Sequence, residues 1–129
     1  MLRLTLSLPC PINRMYRSLE FKGKGGGRYS KPVLSRPARE RRDKLVAEVW
    51  EQCGGRPVPL DGDVQVSVVI YPRDKRTPDV DAYMKHLLDS LTKAGVWHDD
   101  KQVVHTTTER MEQEFPGRIE VEIWPIQGE

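Results

Sequence analysis

Residues 77–104 read TPDVDAYMKHLLDSLTKAGVWHDDKQVV, and this stretch decides how the chain is organised. From about Asp79 to Ala94 it predicts a helix with one apolar stripe, made of Val80, Met84, Leu87, Leu88 and Leu91. Gly95 is a typical helix stop. Residues 102–110 then have the composition of a strand. The stretch therefore predicts a helix, a turn and a strand in succession.

The same stretch carries five aspartates and one well-placed lysine: Asp79, Asp81, Asp89, Asp99, Asp100 and Lys85. Carboxylates packed this densely repel one another unless a cation or a proton joins them. Hard oxygen ligands suit Mg²⁺ or Mn²⁺. On a basic protein, such a metal site indicates phosphodiester chemistry.

Each aspartate also has an ordinary structural interpretation. Asp79 and Asp81 suit the first turn of a helix, Asp89 can pair with Lys85 or Lys93, and Asp99 with Asp100 can form a polar turn. The helix start and the turn after it are about 15 residues apart, which is roughly 22 Å along a straight helix axis. A shared site therefore requires the start of the next strand to fold back beside the helix start, or a second subunit to contribute.

Charge is unevenly distributed, although the formal net charge of the 129 residues is only +2. Residues 22–44 contain nine Lys or Arg against two acidic residues, whereas residues 109–129 contain six Glu against two Arg. A basic block is typical of a polyanion-binding face, and a solvated charged loop would give the same pattern. The candidates for phosphate contacts are Arg28, Lys31, Arg36, Arg39, Arg42 and Arg76.

Several classes of protein have little support. Cys10 and Cys53 are too few for a disulfide framework and indicate free thiols in a reducing compartment. No apolar run approaches the ~20 residues that cross a bilayer, and the N-terminus alternates like a strand rather than a signal peptide. We therefore expect a cytoplasmic protein without a membrane partner. His86, His98 and His105 show no zinc spacing, and no pairing typical of a covalent nucleophile is present.

The remaining pattern completes the predicted fold. Strands are expected at Leu2–Leu8, Val64–Tyr71 and Arg118–Trp124, a helix capped by Ser35 at Pro37–Cys53, and a long basic loop with three central glycines at residues 12–36. The predicted order is β-α-β-α-β-β. This predicts a single two-layer α+β domain over residues 1–129, with a mixed sheet packed by two helices. The modest apolar content of 37% favours a dimer interface that supplements the core.

The acidic stretch resembles the RusA family of Holliday junction resolvases. The shared pattern is Asp79-Val-Asp81, then Lys85, then Trp97-His-Asp-Asp-Lys-Gln-Val103. The proline-ended first strand followed by Asn13-Arg14-Met-Tyr-Arg17 also resembles the opening of that family, so the likeness covers about residues 4–124. Two departures are Ala82, where the family commonly has Asn, and Arg76-Thr77-Pro78, where it is often rich in Arg.

The resemblance implies a homodimer that binds four-way DNA junctions and nicks two opposed strands symmetrically with Mg²⁺ or Mn²⁺. It assigns catalysis to Asp79, Asp81 and Asp100, with Lys85 as the supporting cation. Asp99 is expected beside the metal, where it orients Asp100 or a water. Two other functions stay open: a non-catalytic nucleic-acid-binding module, and a metal-dependent nuclease that acts on other branched DNA or on RNA.

Overall fold

The computed structural model describes residues 1–76 and 79–126. These described residues form six strands and two α-helices: β1 (Leu2–Leu6), β2 (Tyr16–Lys22), β3 (Arg28–Leu34), α1 (Arg36–Cys53), β4 (Val64–Tyr71), α2 (Met84–Ala94), β5 (Val103–Arg110) and β6 (Arg118–Pro125). Three short 3-10 turns lie at Ile12–Arg14, Val80–Tyr83 and Asp100–Gln102. The predicted α+β class is confirmed.

The main sheet has four strands in the order β1-β6-β4-β5. β4 pairs antiparallel with β6 and parallel with β5, so the sheet is mixed as predicted. Every second residue of β4 is buried, namely Val64, Val66, Val68 and Ile70, and these face the helices. Leu45 and Val49 of α1 and Leu87 and Leu91 of α2 complete this core layer.

The ends of both helices follow from single residues. Ser35 caps α1, since its hydroxyl accepts from the Ala38 N–H at 3.2 Å and donates to the Arg14 carbonyl at 2.7 Å. Gly54 and Gly95 follow the two helices with φ of 74° and 89°, a left-handed conformation that glycine adopts without strain. The predicted cap and helix stops are therefore confirmed.

The predicted long loop at residues 12–36 is wrong, because β2 and β3 form an antiparallel hairpin there. Tyr16 pairs with Leu34 at its base, and Gly25 and Gly26, with φ of 91° and 88°, form its tip. Most of both strands is exposed on both faces, so the hydrophobic alternation that reveals a strand is missing. The observed order is therefore β-β-β-α-β-α-β-β.

Two boundaries also differ from the prediction. β1 ends at Leu6 instead of Leu8, and the α-helical part of the acidic stretch begins at Met84 instead of Asp79. The side chain of Asp79 makes no capping hydrogen bond, and the chain enters the helix through the 3-10 turn Val80–Tyr83.

Within the described residues, neither α-helix has the length and apolar content that spanning a bilayer requires. Cys10 is buried and Cys53 half-buried, and both are free thiols, as expected.

Candidate active site

The first pair of carboxylates lies at the entry to α2. Asp79 precedes the 3-10 turn and Asp81 lies in its first turn, and both side chains are exposed. The turn closes through the Ala82 N–H, which donates to the Asp79 carbonyl at 2.9 Å. Tyr83, only 6% exposed, packs the end of this turn into the core. The turn is thus anchored on one side and presents its carboxylates to solvent on the other.

Lys85 lies one helical turn beyond Asp81 and forms an ion pair with Asp89. The Lys85 Nζ is 3.2 Å from the Asp89 Oδ1, which confirms the i, i+4 pair expected from the sequence. The hydrogen bond to Asp89 and the charge of that carboxylate raise the pKa of Lys85, and Asp100 adds a weaker electrostatic contribution. Lys85 therefore keeps its charge at neutral pH, and Asp100 lies within electrostatic range of it.

The second pair of carboxylates lies in the turn before β5, which Gln102 holds in place. Its side-chain carbonyl accepts from the N–H groups of His98 at 2.7 Å and Asp99 at 3.0 Å. Its amide donates to the carbonyls of Leu60 and Gly62, both at 2.8 Å. Four hydrogen bonds from one side chain thus fix the turn that carries Asp100 to the segment before β4.

Asp99 is engaged within the same turn. Its carboxylate accepts from the Lys101 N–H at 2.9 Å, and this hydrogen bond is the main reason that the pKa of Asp99 is lowered. Together with Gln102 it forms a capping box around the 3-10 turn. This geometry suits a residue that positions Asp100.

Asp100 lines a cleft of about 490 Å³ in which charges of both signs meet. The acidic lining is Asp89, Asp99 and Asp100, and the basic lining is Arg42, Lys93 and His98. Among the described residues, the buried Nε of Arg42 has no hydrogen-bond partner. The Nε2 of His98 lies 2.9 Å from Asp61, which holds the ring beside the turn.

His86 forms part of the cleft floor and has a structural role. It is 1% exposed; its Nδ1 accepts from the Cys10 N–H at 3.0 Å, and its Nε2–H donates to the Ala38 carbonyl at 2.8 Å. Burial is the largest cause that lowers the pKa of His86, so the ring is neutral in the fold. One imidazole therefore ties α2 to the start of α1 and to the segment after β1.

The carboxylates assigned to metal binding form two pairs in this chain, Asp79 with Asp81 and Asp99 with Asp100. Their hard oxygen donors fit Mg²⁺ or Mn²⁺. In residues 1–76 and 79–126, however, no three Asp, Glu, His or Cys side chains lie close enough together to hold one ion. A site with three carboxylates is thus not assembled within the described part of one chain.

The predicted DNA-binding residues are spread over three elements. Arg28 and Lys31 are exposed on β3, Arg36 and Arg39 on the first turn of α1, and Arg76 after β4, while Arg42 lines the cleft. Some of these charges are already paired, since Arg36 lies 2.8 Å from Glu40.

Sequence reasoning missed Gln102 and three arginines. Arg14, Arg41 and Arg73 line one cavity together although they are far apart in the chain. Gln102 and Arg14 both lie within recognised motifs. No spacing rule, however, indicates that Gln102 donates a hydrogen bond to the Leu60 carbonyl or that residues 14, 41 and 73 line one cavity.

An α+β domain with solvent-accessible carboxylate pairs next to basic surface has the features of a candidate nuclease. The chain belongs to the RusA family, since the family model described as "Endodeoxyribonuclease RusA" matches residues 21–124. The family resemblance seen in the sequence is thus confirmed.

Several relatives of this chain are named as crossover junction endodeoxyribonucleases. This chain is 29% identical over 126 residues to the crossover junction endodeoxyribonuclease RusA of Escherichia coli (strain K12), and the match covers 98% of this chain and 96% of that protein. The protein of that name from Shigella sonnei (strain Ss046) gives the same values. The crossover junction endodeoxyribonuclease rusA of Enterobacteria phage 82 is 36% identical over 66 residues, covering 51% of this chain and 55% of that protein.

Proposed function

We propose that this protein is a crossover junction endodeoxyribonuclease, which acts in the cytoplasm during DNA recombination and repair. It would bind four-way DNA junctions as a homodimer and cut them by paired symmetric nicks. The observation that carries this proposal is the acidic motif of residues 79–104, whose carboxylates and Lys85 lie on accessible surface of a RusA-family domain. The names of relatives that align with nearly the whole chain support the substrate.

Asp79, Asp81 and Asp100 are the residues that would hold Mg²⁺, for which Mn²⁺ would substitute. The bound ion would supply Lewis-acid chemistry, lowering the pKa of a coordinated water and neutralising charge at the phosphate. Lys85 would place a fixed positive charge beside the reacting phosphate, where its ion pair with Asp89 holds it in position. Asp99 and Gln102 would set the position of Asp100.

A two-fold protein suits a two-fold junction, because two equivalent sites then meet two opposed strands. The residues proposed to grip the DNA phosphates are Arg28, Lys31, Arg36, Arg39, Arg42 and Arg76. Each phosphate contact releases condensed counterions, so binding should weaken steeply as salt rises.

The dimer also offers a way to complete the three-carboxylate group. Asp100 either moves toward Asp79 and Asp81 of its own chain or meets those of a partner. Mixing Asp81→Asn and Asp100→Asn subunits distinguishes these arrangements. A shared site regains one intact set of carboxylates in the mixed dimer and nicks one strand, whereas sites built within each chain stay inactive.

The function is tested by nicking of a synthetic four-way junction beside a linear duplex of the same sequence, with Mg²⁺ or EDTA. We expect paired nicks on the junction alone, lost in EDTA and in Asp81→Asn. Asp63→Asn, on exposed surface before β4, is the matched control and should cut normally.

Other results would indicate the alternative functions. Junction binding without cutting under any metal would favour a binding module. Efficient cutting of flaps, forks or RNA, with four-way junctions left intact, would favour a nuclease with another substrate.

A further inference from the structure

A groove lined by arginines lies next to the acidic turn, and of its basic side chains only that of Arg76 has a role in the function proposed above. Its larger part is a cavity of about 560 Å³ lined by Arg14, Arg41, Arg73, Arg76, Asn13, Asp74 and Tyr83 among others. A second cavity of about 180 Å³ shares Leu8, Arg41 and Arg73 with the first and adds Lys44. We call the two cavities together the arginine groove.

The groove concentrates positive charge with little compensation. Among the described residues, five basic side chains line it against one carboxylate, that of Asp74. Within residues 1–76 and 79–126, none of Arg14, Arg41 and Arg73 forms an ion pair with a carboxylate. Like charges gathered in a concave surface repel one another, and a bound polyanion relieves that repulsion.

The walls of the groove are held in place before any ligand arrives. Arg41 donates to the Pro9 carbonyl at 3.1 Å, and the guanidinium of Arg73 lies 5.5 Å from the centre of the Phe115 ring. Gly117 packs so closely that a β-carbon there would lie 2.5 Å from the Leu8 Cδ1 and 3.1 Å from the backbone nitrogen of Arg73. The Glu114 N–H donates to the Pro72 carbonyl at 2.7 Å, which fastens the same turn to the end of β4.

The groove adjoins the turn that carries the first carboxylate pair. Tyr83, which lines it, is the last residue of the 3-10 turn that carries Asp81. Arg76 is three residues before Asp79 in the chain. A ligand in the groove therefore lies alongside the turn that presents the first carboxylate pair.

We propose that the arginine groove binds the phosphodiester backbone of the strand to be cut, at phosphates that flank the scissile one. This inference rests on the proposed function. Guanidinium groups match phosphate oxygens through paired N–H donors, and a track of several arginines fits a repeating anion better than a single one. The groove thereby aligns the strand with Asp79 and Asp81.

The test measures DNA binding in EDTA, where no cutting interferes. A fluorescent four-way junction and a short oligothymidylate are titrated with wild type, Arg14→Ala, Arg41→Ala and Arg73→Ala across salt concentrations. Each substitution should weaken affinity roughly fivefold at about 100 mM salt and reduce the slope of log affinity against log salt by about 1. Arg3→Ala is the matched control, since Arg3 lines neither cavity and pairs with Glu122 at 3.1 Å.

Inorganic phosphate at constant ionic strength is the competitor. It should displace the oligothymidylate little, because backbone binding uses several linked phosphates. The proposal would be overturned if inorganic phosphate displaced the oligothymidylate saturably and this displacement were lost equally in each groove variant. That result would show a pocket for a free anion.

Nicking activity separates this proposal from the proposed function. If wild type nicks junctions in Mg²⁺ while the three groove variants bind like Arg3→Ala, the groove assignment is wrong and the function stands. If wild type never nicks branched DNA but the groove variants still lose affinity and salt slope, the function is wrong and the groove remains a site for a nucleic-acid backbone.

Discussion

Replacing Gln102 with alanine tests whether one side chain positions the turn that carries Asp100. The change removes four hydrogen bonds, two to N–H groups and two to carbonyls. Each contributes about 1 kcal/mol net. Ordering the glutamine side chain costs the wild type about 1.5 kcal/mol of conformational entropy, and alanine avoids this cost, which offsets part of the loss. The free energy of unfolding should therefore fall by about 2–3 kcal/mol.

The assay combines urea denaturation with junction nicking in Mg²⁺. Gln102→Ala should lower both stability and the nicking rate, whereas Gln113→Ala, on exposed surface after β5, should change neither. A loss of stability below about 0.5 kcal/mol would refute the hydrogen-bond reasoning, since that is within the range of ordinary surface substitutions. Normal nicking by a clearly destabilised variant would refute the positioning role alone.

Gln102→Glu sharpens this test through its pH dependence. At neutral pH a carboxylate keeps the acceptor for His98 and Asp99 but places negative charge against the carbonyls of Leu60 and Gly62. The folded state should therefore raise the pKa of this glutamate, and the folded protein binds a proton more readily than the unfolded chain. The stability of the variant relative to wild type should rise as pH falls.

Three further predictions follow from the packing and the site. The pKa of His86 is lowered in the fold, so the unfolded chain takes up a proton first as pH falls below about 6.5, and stability should decline there. The difference between the urea midpoints at about pH 7.5 and 5.5 should therefore be smaller in His86→Gln than in the control His105→Gln, whose side chain is exposed. Ser35→Ala should cost about 1–2 kcal/mol by thermal unfolding, because the α1 cap and the bond to Arg14 are both lost, while exposed Ser30→Ala should be neutral. Lys85→Met should lower kcat for nicking by about a hundredfold with little change in KM, and Lys93→Met on the same helix much less; equal effects would contradict a specific role for Lys85.

The sequence predicted the elements that bury one face. β4 is rich in β-branched residues, and α2 combines an apolar stripe with a polar stripe at helical spacing, so both are identified without tertiary information. The hairpin was missed because Phe21, Tyr29 and their neighbours are exposed and leave no such pattern. The candidate site, too, could be predicted only in part from the sequence. The aspartates are recognisable from their motif, whereas the contacts of Gln102 and the meeting of Arg14 with Arg73 depend on packing between distant segments.

The two ends of the hairpin lie side by side, because Tyr16 pairs with Leu34, and neither strand belongs to the main sheet. The segment between them can therefore vary in length or sequence without breaking the core that carries the aspartates. Exchanging residues 17–33 for the corresponding segment of a relative would transplant an exposed surface as one unit. Substrate preference in such a chimera could then be altered while the chemistry of the aspartates stays constant.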